Sequence, residues 1–334
     1  MELFGTLPTG EMIYKFTLKS ESTTATVMSY GATITSFKPF GKEIIAGFDS
    51  LEKYVIFNSY FGTTVGRVCN RIVGGAITVD GVRYELARNN GEHCLHGGLE
   101  GYHNKPWEIV SHSDDELTLS YLSYDGESGF PGEVRIYAIF KLIGDALAVQ
   151  YRATTTKKTP IMLTSHGFFN LSGFSGDVLT HRARIYADKC TAIDEKRFPT
   201  GEHSDIRGSF LDFTEMHEIG DRIDESPVAY DHNYILSPKS YLDMLGTRVG
   251  LAAEVEYGEL KLSTYTDQPG MQFYVMMRVS PRAPLLTGDI PLLPFGAFCL
   301  ESQIEPDCVS RGIGFVDVGE EYLSTTVYSV SRID

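Results

Sequence analysis

Two neighbouring segments of the chain alternate apolar and polar residues over the length of a β-hairpin. Apolar side chains occupy every second position from Val134 to Leu142 and again from Leu147 to Ala153, and Gly144-Asp145 separates the two runs. A period of two is typical of strands with one buried face, whereas a helix needs a period near 3.6. The pattern therefore predicts two antiparallel strands joined by a tight turn.

The same alternation recurs along most of the chain, and helical periodicity is scarce. A second hairpin is predicted between Ile77 and Leu86, since Asp80-Gly81 suits a two-residue turn. Short helices are predicted only near Ser50 to Tyr54 and Phe213 to Glu218. Further alternating runs span residues 25–37, 117–124, 258–265 and 324–333.

So many strands, broken by Gly, Pro, Asn and Asp, indicate an all-β fold with two stacked antiparallel sheets. The 334 residues contain no low-complexity linker, charge block or evident internal repeat. We therefore expect a large single-domain antiparallel β-sandwich over residues 1–334, with a concave face able to hold a ligand.

The net charge, the N-terminal residues and the cysteine content indicate which binding partners and which cellular compartment to expect. The formal net charge of −15 has the wrong sign for neutralising phosphates, so we expect no nucleic-acid partner. The N-terminal residues contain no apolar run long enough for a signal peptide or a membrane span, which predicts a cytoplasmic protein without a membrane partner. The five irregularly spaced cysteines are expected to be free thiols.

Several polar motifs offer candidate site residues. His93, Cys94 and His96 allow a metal site, a solvated loop or a ligand contact, but no second ligand cluster at zinc spacing accompanies them. His166 follows an apolar strand, and Glu301 follows Ala-Phe-Cys-Leu, which predicts a costly buried carboxylate. An ion-paired strand end remains the structural alternative for Glu301.

Taken together, these motifs resemble the aldose 1-epimerase (galactose mutarotase) family over nearly the whole chain. They appear in the family's order: Asn70-Arg71-Ile72, His96-Gly97-Gly98, Asp125-Gly126-Glu127 with Gly129-Phe130-Pro131-Gly132, His166 before Phe169-Asn170-Leu171, Asp231-His232-Asn233, Pro269-Gly270-Met271-Gln272-Phe273-Tyr274, and Leu300-Glu301-Ser302-Gln303 before Pro306-Asp307. The resemblance implies a galactose mutarotase-like supersandwich that binds a sugar in an open cleft, with no metal and no cofactor.

The resemblance also implies roles for individual residues. Glu301 matches the general base and His166 the general acid that open the sugar ring, and His96 matches a second histidine that stabilises the ring oxygen or a developing oxyanion. For both proton-transfer groups to work near neutral pH, the pKa of Glu301 must rise on burial, while that of His166 needs little change. The positions matched to sugar hydroxyls are Asn70, Arg71, Asp231 and Gln272.

The chain departs from the family pattern at two places, and alternative functions remain. Gly167 stands where the family commonly has Thr, and Val275-Met276-Met277 stands where it often has Thr-Gly-Asn. The alternatives are a hexose-6-phosphate 1-epimerase, a non-catalytic carbohydrate-binding protein on the same fold, and a metal-dependent enzyme using His93, Cys94 and His96. The sequence does not distinguish galactose from glucose as the preferred substrate, or a monomer from a weak dimer as the oligomeric state.

Overall fold

Strands dominate the computed structural model, which describes residues 1–195, 198–226 and 229–333. The strands are β1 (Glu2–Thr6), β2 (Met12–Lys19), β3 (Thr23–Met28), β4 (Thr33–Pro39), β5 (Thr64–Val65), β6 (Arg71–Ile72), β7 (Ala76–Val79), β8 (Val82–Glu85), β9 (Cys94–Leu95), β10 (Glu108–His112), β11 (Glu116–Ser123), β12 (Val134–Ile143), β13 (Ala146–Thr155), β14 (Thr159–Pro160), β15 (Thr164–Ser165), β16 (Arg182–Ile185), β17 (Ala187–Ile193), β18 (Pro199–Asp205), β19 (His217–Glu218), β20 (Asp231–Leu236), β21 (Tyr241–Met244), β22 (Thr247–Tyr257), β23 (Leu260–Thr266), β24 (Gly270–Val275), β25 (Phe298–Gln303), β26 (Phe315–Val316) and β27 (Tyr322–Arg332).

Helical structure is confined to short elements. The one α-helix of the described residues, α1 (Leu51–Phe57), ends where Asn58 adopts a left-handed φ of 31° and donates its N–H to the Tyr54 carbonyl. Single turns of 3₁₀-helix are Val73–Gly75, Tyr102–Asn104, Glu127–Gly129, Ile223–Glu225 and Cys308–Arg311. No helix in the described part of the chain combines the length and apolar character needed to cross a bilayer.

The largest sheet has ten strands in the order β10-β11-β12-β13-β27-β23-β22-β16-β19, with β21 paired to β22. The predicted hairpin forms its centre, since Val134 pairs with Thr155 and Ile143 with Ala146 across the Gly144-Asp145 turn. A four-stranded sheet, β1-β2-β3-β4, packs on the same hydrophobic core through residues such as Phe16 and Phe37.

The second large layer is the five-stranded antiparallel sheet β18-β17-β20-β24-β25. Alternation along β24 and β25 gives this sheet two unlike faces. Phe273 and Leu300 point into the core shared with Phe140 and Tyr328 of the large sheet. The opposite face carries polar side chains, so the β-sandwich predicted from alternation is confirmed and the five-stranded sheet positions polar residues away from the core.

Most predicted elements are present, and one is wrong. The hairpin between β7 and β8 turns at Asp80-Gly81 as predicted, and α1 falls where a helix was expected. The alternating run over residues 25–37 divides into β3 and β4.

The predicted helix from Phe213 to Glu218 does not form. Asp212 instead accepts hydrogen bonds from the backbone and hydroxyl of Thr214, and Phe213 is buried. A local Asx turn of this kind competes with helix formation.

Candidate functional site

A cavity of about 380 Å³ opens on the polar face of the five-stranded sheet. It brings together all seven site residues proposed from the sequence, although four strands and three loop positions carry them. Its lining residues are Phe57, Ser59, Tyr60, Phe61, Asn70, Arg71, Leu95, His96, His166, Phe168, Asp231, Gln272, Tyr274, Met276, Arg278, Val279, Ser280, Leu292 and Glu301. A concave pocket with apolar walls and a few convergent polar groups is the usual form of a small-molecule site.

Strand register sets the acceptor side of this cavity. Gln272 on β24 lies directly opposite Glu301 on β25, so the two side chains share a face. Gln272 also donates a hydrogen bond from Nε2 to Oδ1 of Asp231 at 2.7 Å. Within the described part of the chain, the buried atoms Oε1 of Gln272 and Oε2 of Glu301 have no hydrogen-bond partner. Two acceptors are therefore available to a ligand that carries hydroxyl groups.

Two hydrogen bonds join Asn70 and His96, one between their backbones and one to the His96 ring. The N–H of Asn70 donates to Nδ1 of His96 at 3.1 Å, and the N–H of His96 donates to the Asn70 carbonyl at 3.1 Å. Both residues have left-handed φ values, 61° for Asn70 and 52° for His96. Because a backbone N–H can only donate, Nδ1 of neutral His96 is an acceptor and its proton sits on Nε2.

His166 leaves the end of β15 beside the Glu301 carboxyl. Its Nε2 lies 3.5 Å from Oε1 of Glu301, and both side chains are almost fully buried. On the other side of the ring, Nδ1 lies 3.8 Å from the Cys299 sulfur. The imidazole and the carboxyl are thus neighbours that can exchange a proton away from bulk water.

Burial shifts the pKa values of this pair in opposite directions. Burial, reinforced by the Asp231 carboxylate and opposed by Arg71, raises the pKa of Glu301 to about 8. Burial lowers the pKa of His166 to about 4 against the opposing effects of a backbone hydrogen bond and Asp231. The expected rise for Glu301 is confirmed, whereas the expectation that His166 would change little is wrong because desolvation penalises the imidazolium.

His96 is also held neutral. Burial first, and then the charges of His166, His103 and Arg71, keep its pKa well below the ordinary value. Arg71 is half-buried and donates from Nε to Oδ1 of Asn90 at 3.1 Å. The site therefore contains one neutral N–H donor on His96 and one oriented guanidinium.

One group of possible metal ligands occurs among the described residues: His96, His166 and Glu301, whose ligand atoms lie within 4.8 Å of one another. The set His93, Cys94 and His96 forms no such group there. Nε2 of neutral His96 carries the proton that the Asn70 contact assigns to it, so its lone pair is not available to a metal. The ligand geometry therefore opposes a resident divalent cation.

A family model for aldose 1-epimerase matches residues 14–329 of the chain. The chain belongs to the aldose 1-epimerase family. It is 36% identical to galactose mutarotase from Bos taurus over 98% of this chain and 97% of that protein. It is 31% identical to aldose 1-epimerase from Escherichia coli K12 over 96% of each chain. As an aldose 1-epimerase, the chain is an isomerase.

Solved structures share the fold of this aldose 1-epimerase. The aldose epimerase homologue from C. elegans superposes with a TM-score of 0.87 at 21% identity, covering 96% of this chain and 100% of that chain. Galactose 1-epimerase from Lactobacillus acidophilus superposes with a TM-score of 0.86 at 21% identity, covering 99% of this chain and 98% of that chain. The galactose mutarotase-like supersandwich is therefore the fold of this chain.

The departures from the aldose 1-epimerase pattern fall on the site. A Cβ at Gly167 would lie 2.8 Å from the Phe169 ring and 3.2 Å from Ile45, so the ring occupies the space that a side chain would need. Met276 replaces a small residue and forms part of the cavity wall. Both departures affect packing beside His166 or in the cavity wall, and His166 and Glu301 remain in contact.

Reasoning from the sequence missed several wall residues of this aldose 1-epimerase. Tyr60 and the exposed Arg278 line the cavity without belonging to a motif, and Phe168 and Tyr274 line it although their motifs assigned them no role. Phe273 lies in the core, and its neighbour Tyr274 faces the cavity. Strand alternation beyond Gln272 was the signal that could have distinguished those two rings.

Proposed function

We propose that this chain interconverts the α and β anomers of free hexoses and that Glu301 and His166 transfer the protons. One observation carries the proposal. The buried Glu301 carboxyl contacts His166 at 3.5 Å through one oxygen, and its other oxygen has no partner among the described residues in the cavity wall. A buried acid–base pair with one open acceptor is suited to a reaction that moves two protons on one ligand.

The chemistry needs one base and one acid. Glu301 takes the proton of the C1 hydroxyl while His166 gives a proton to the ring oxygen. The bond between C1 and the ring oxygen breaks, and the C1 oxygen becomes the carbonyl of the open aldehyde. After rotation about the C1–C2 bond, His166 takes the proton back from the hydroxyl formed from the ring oxygen while Glu301 gives its proton to the carbonyl oxygen, and closure on the other face of the carbonyl gives the other anomer.

The pair needs one proton in total near neutral pH. With the pKa of Glu301 raised to about 8 and that of His166 lowered to about 4, this proton rests on Glu301 in the empty cavity. A sugar hydroxyl that donates to the carboxylate stabilises the charged form of Glu301. The proton then passes to His166 across the 3.5 Å contact, which prepares the base and the acid for ring opening.

The remaining site residues hold the sugar. His96 presents its Nε2–H as a neutral donor to the ring oxygen or the open-chain oxyanion. Arg71 and Asn70 donate to hydroxyl oxygens, while Asp231 and Oε1 of Gln272 accept from hydroxyl groups. The apolar side chains of Phe61, Phe168 and Leu292 complete the walls.

The alternative hexose-6-phosphate activity needs more positive charge than this cavity provides. The Asp231 carboxylate and the Glu301 carboxyl line it beside Arg71 and the exposed Arg278. A non-catalytic sugar-binding protein would have no need for a costly buried carboxyl beside a buried imidazole. Both alternatives are therefore less consistent with the site than turnover of a free hexose.

Polarimetry on freshly dissolved α-galactose tests the proposal. The decay of optical rotation is expected to accelerate in proportion to protein concentration, and α-glucose 6-phosphate is expected to show a lower kcat/KM because of repulsion by the Asp231 carboxylate. A decay rate independent of protein concentration would contradict catalysis. A higher kcat/KM for the phosphorylated sugar would favour the hexose-phosphate alternative.

Metal removal is expected to leave the activity unchanged. The proposed chemistry uses only side-chain acids and bases, and the contact from Asn70 blocks His96 as a metal ligand. The measurement is anomer exchange before and after extensive dialysis against a chelator, with added Zn²⁺ as the second arm. Loss of exchange on chelation, restored by one divalent cation, would overturn the metal-free mechanism.

We also propose that the chain is one domain in the cytoplasm. One hydrophobic cluster includes residues from Phe16 to Val330, which supports a single folding unit. All five cysteines are free and buried, which agrees with a reducing compartment.

A further inference from the structure

Tyr60 contacts three buried histidines at once. Its ring centroid lies 4.8 Å from that of His96, 4.6 Å from that of His103 and 5.8 Å from that of His166. The planes of the Tyr60 and His166 rings are 23° apart. His96 and His166 also meet edge to face at 5.3 Å. The tyrosine lines the same cavity as His96 and His166, so its ring covers the side of each imidazole that it contacts.

The backbone holds Tyr60 in a strained and well-anchored conformation. Its φ of 63° lies in the left-handed region, which is unfavourable for a bulky side chain. The Tyr60 carbonyl accepts hydrogen bonds from the backbone N–H and the hydroxyl of Thr63, at 3.1 and 3.2 Å. Thr63 in turn accepts from the His166 N–H at 2.9 Å, and Gly62 donates to the His166 carbonyl at 2.9 Å. The turn that carries Tyr60 is thus bonded directly to His166.

Burial is the largest influence on each of the three histidines, and it lowers the pKa of all three. Charged neighbours add smaller effects. The titratable and charged groups that face this cluster are Glu301, Asp231 and Cys299 at His166, Arg71 at His96, Lys105 and Glu100 at His103, and Cys94 at Tyr60 itself. Exclusion of water, rather than any one charge, therefore keeps the imidazoles neutral.

We propose that Tyr60 is a positioning residue whose ring shields the three-histidine cluster from water and holds His166 against Glu301. The inference rests on the proposed function, because it assigns Tyr60 a part in controlling the acid–base pair. Removal of the ring lets water reach His166 and stabilise the imidazolium. His166 is then protonated at a higher pH. Both members of the pair therefore carry protons, and no base remains, over a wider acidic range.

The experiment compares Tyr60→Phe, which keeps the ring, with Tyr60→Ala and Tyr60→Asn, which remove it. Asn tolerates left-handed backbone, so Tyr60→Asn separates loss of the ring from backbone strain. Tyr124→Ala, at a side chain that is 65% exposed, is the matched control. Two readouts are needed: histidine titration by NMR in the free protein, and the pH profile of anomer exchange.

We expect Tyr60→Phe to keep the His166 titration and the acid limb of the wild type, because the ring remains. Both ring-deletion variants are expected to move the His166 titration and the acid limb of kcat/KM upward by more than about one pH unit, toward the ordinary histidine value near 6.5. Exchange at neutral pH is expected to fall about tenfold or more, because His166 loses its fixed position. The Tyr124→Ala control is expected to match the wild type.

An unchanged His166 titration in folded Tyr60→Asn would overturn the proposal, and so would a Tyr60→Phe variant that behaves like the ring deletions. Should Tyr60→Ala fail to fold, Tyr60→Asn alone decides the outcome through the same two readouts. If the wild type shows no anomer exchange, the proposed function fails, whereas the histidine titration still tests the shielding by Tyr60.

Discussion

Glu301→Gln is expected to reduce anomer exchange by about 10² to 10⁴-fold, which corresponds to roughly 2.7 to 5.4 kcal/mol of transition-state stabilisation. The amide keeps the shape of the carboxyl and can still hydrogen-bond a sugar hydroxyl, but it cannot take up the C1 proton. Sugar affinity should therefore fall only modestly while turnover collapses. His166→Asn is expected to have an effect of the same order.

The measurement is exchange between anomers by saturation-transfer NMR at several sugar concentrations, with affinity by calorimetry on the same folded variants. Asp231→Ala provides the contrast, since it removes a hydroxyl acceptor and should weaken binding as well as slow turnover. Equal exchange rates in the wild type and Glu301→Gln would exclude Glu301 as the base. A wild type that binds sugar without accelerating exchange would favour a binding protein.

Arg67→Met is expected to destabilise the fold by on the order of 3 kcal/mol. The Arg67 side chain is buried and donates hydrogen bonds to the Ser123 hydroxyl and the Pro131 carbonyl, both at 2.7 Å. It also donates to the Thr159 and Tyr102 hydroxyls at 3.2 Å. Methionine fills much of the volume but leaves these buried acceptors without their donor.

Urea unfolding measures the free-energy difference, and Arg83→Met is the control. Arg83 is largely exposed and pairs with Glu85, so its replacement should change the free energy of unfolding by less than about 1 kcal/mol. An Arg67→Met variant as stable as the wild type would contradict a structural role for this guanidinium network.

Local features of the fold were predictable because neighbouring residues determine them. The hairpins at Gly144-Asp145 and Asp80-Gly81 combine period-two burial with residues that suit tight turns. The false helix at Phe213 to Glu218 shows the limit of this reasoning. Its apolar spacing reflects burial of Phe213 against Tyr230 and Phe273, contacts from distant parts of the chain.

The candidate site was predictable to the extent that motifs mark it. All seven proposed site residues line one cavity, and Glu301 and Cys299 of β25 both lie beside His166. The lowered pKa of His166 was not predictable, since it depends on desolvation by segments far apart in sequence. Tyr60 carries no local signal either, because its importance arises from contacts with three distant histidines.

The pH profile of anomer exchange by the wild type tests the central claim most directly, once the protein-free rate is subtracted at each pH. Below about pH 4 both Glu301 and His166 carry protons and no base remains, while above about pH 8 neither carries one and no acid remains. The account predicts a bell-shaped kcat/KM with these two apparent limits, which belong to the coupled pair. A profile that stays flat as the pH rises through about 8 would contradict a mechanism in which Glu301 and His166 share one proton.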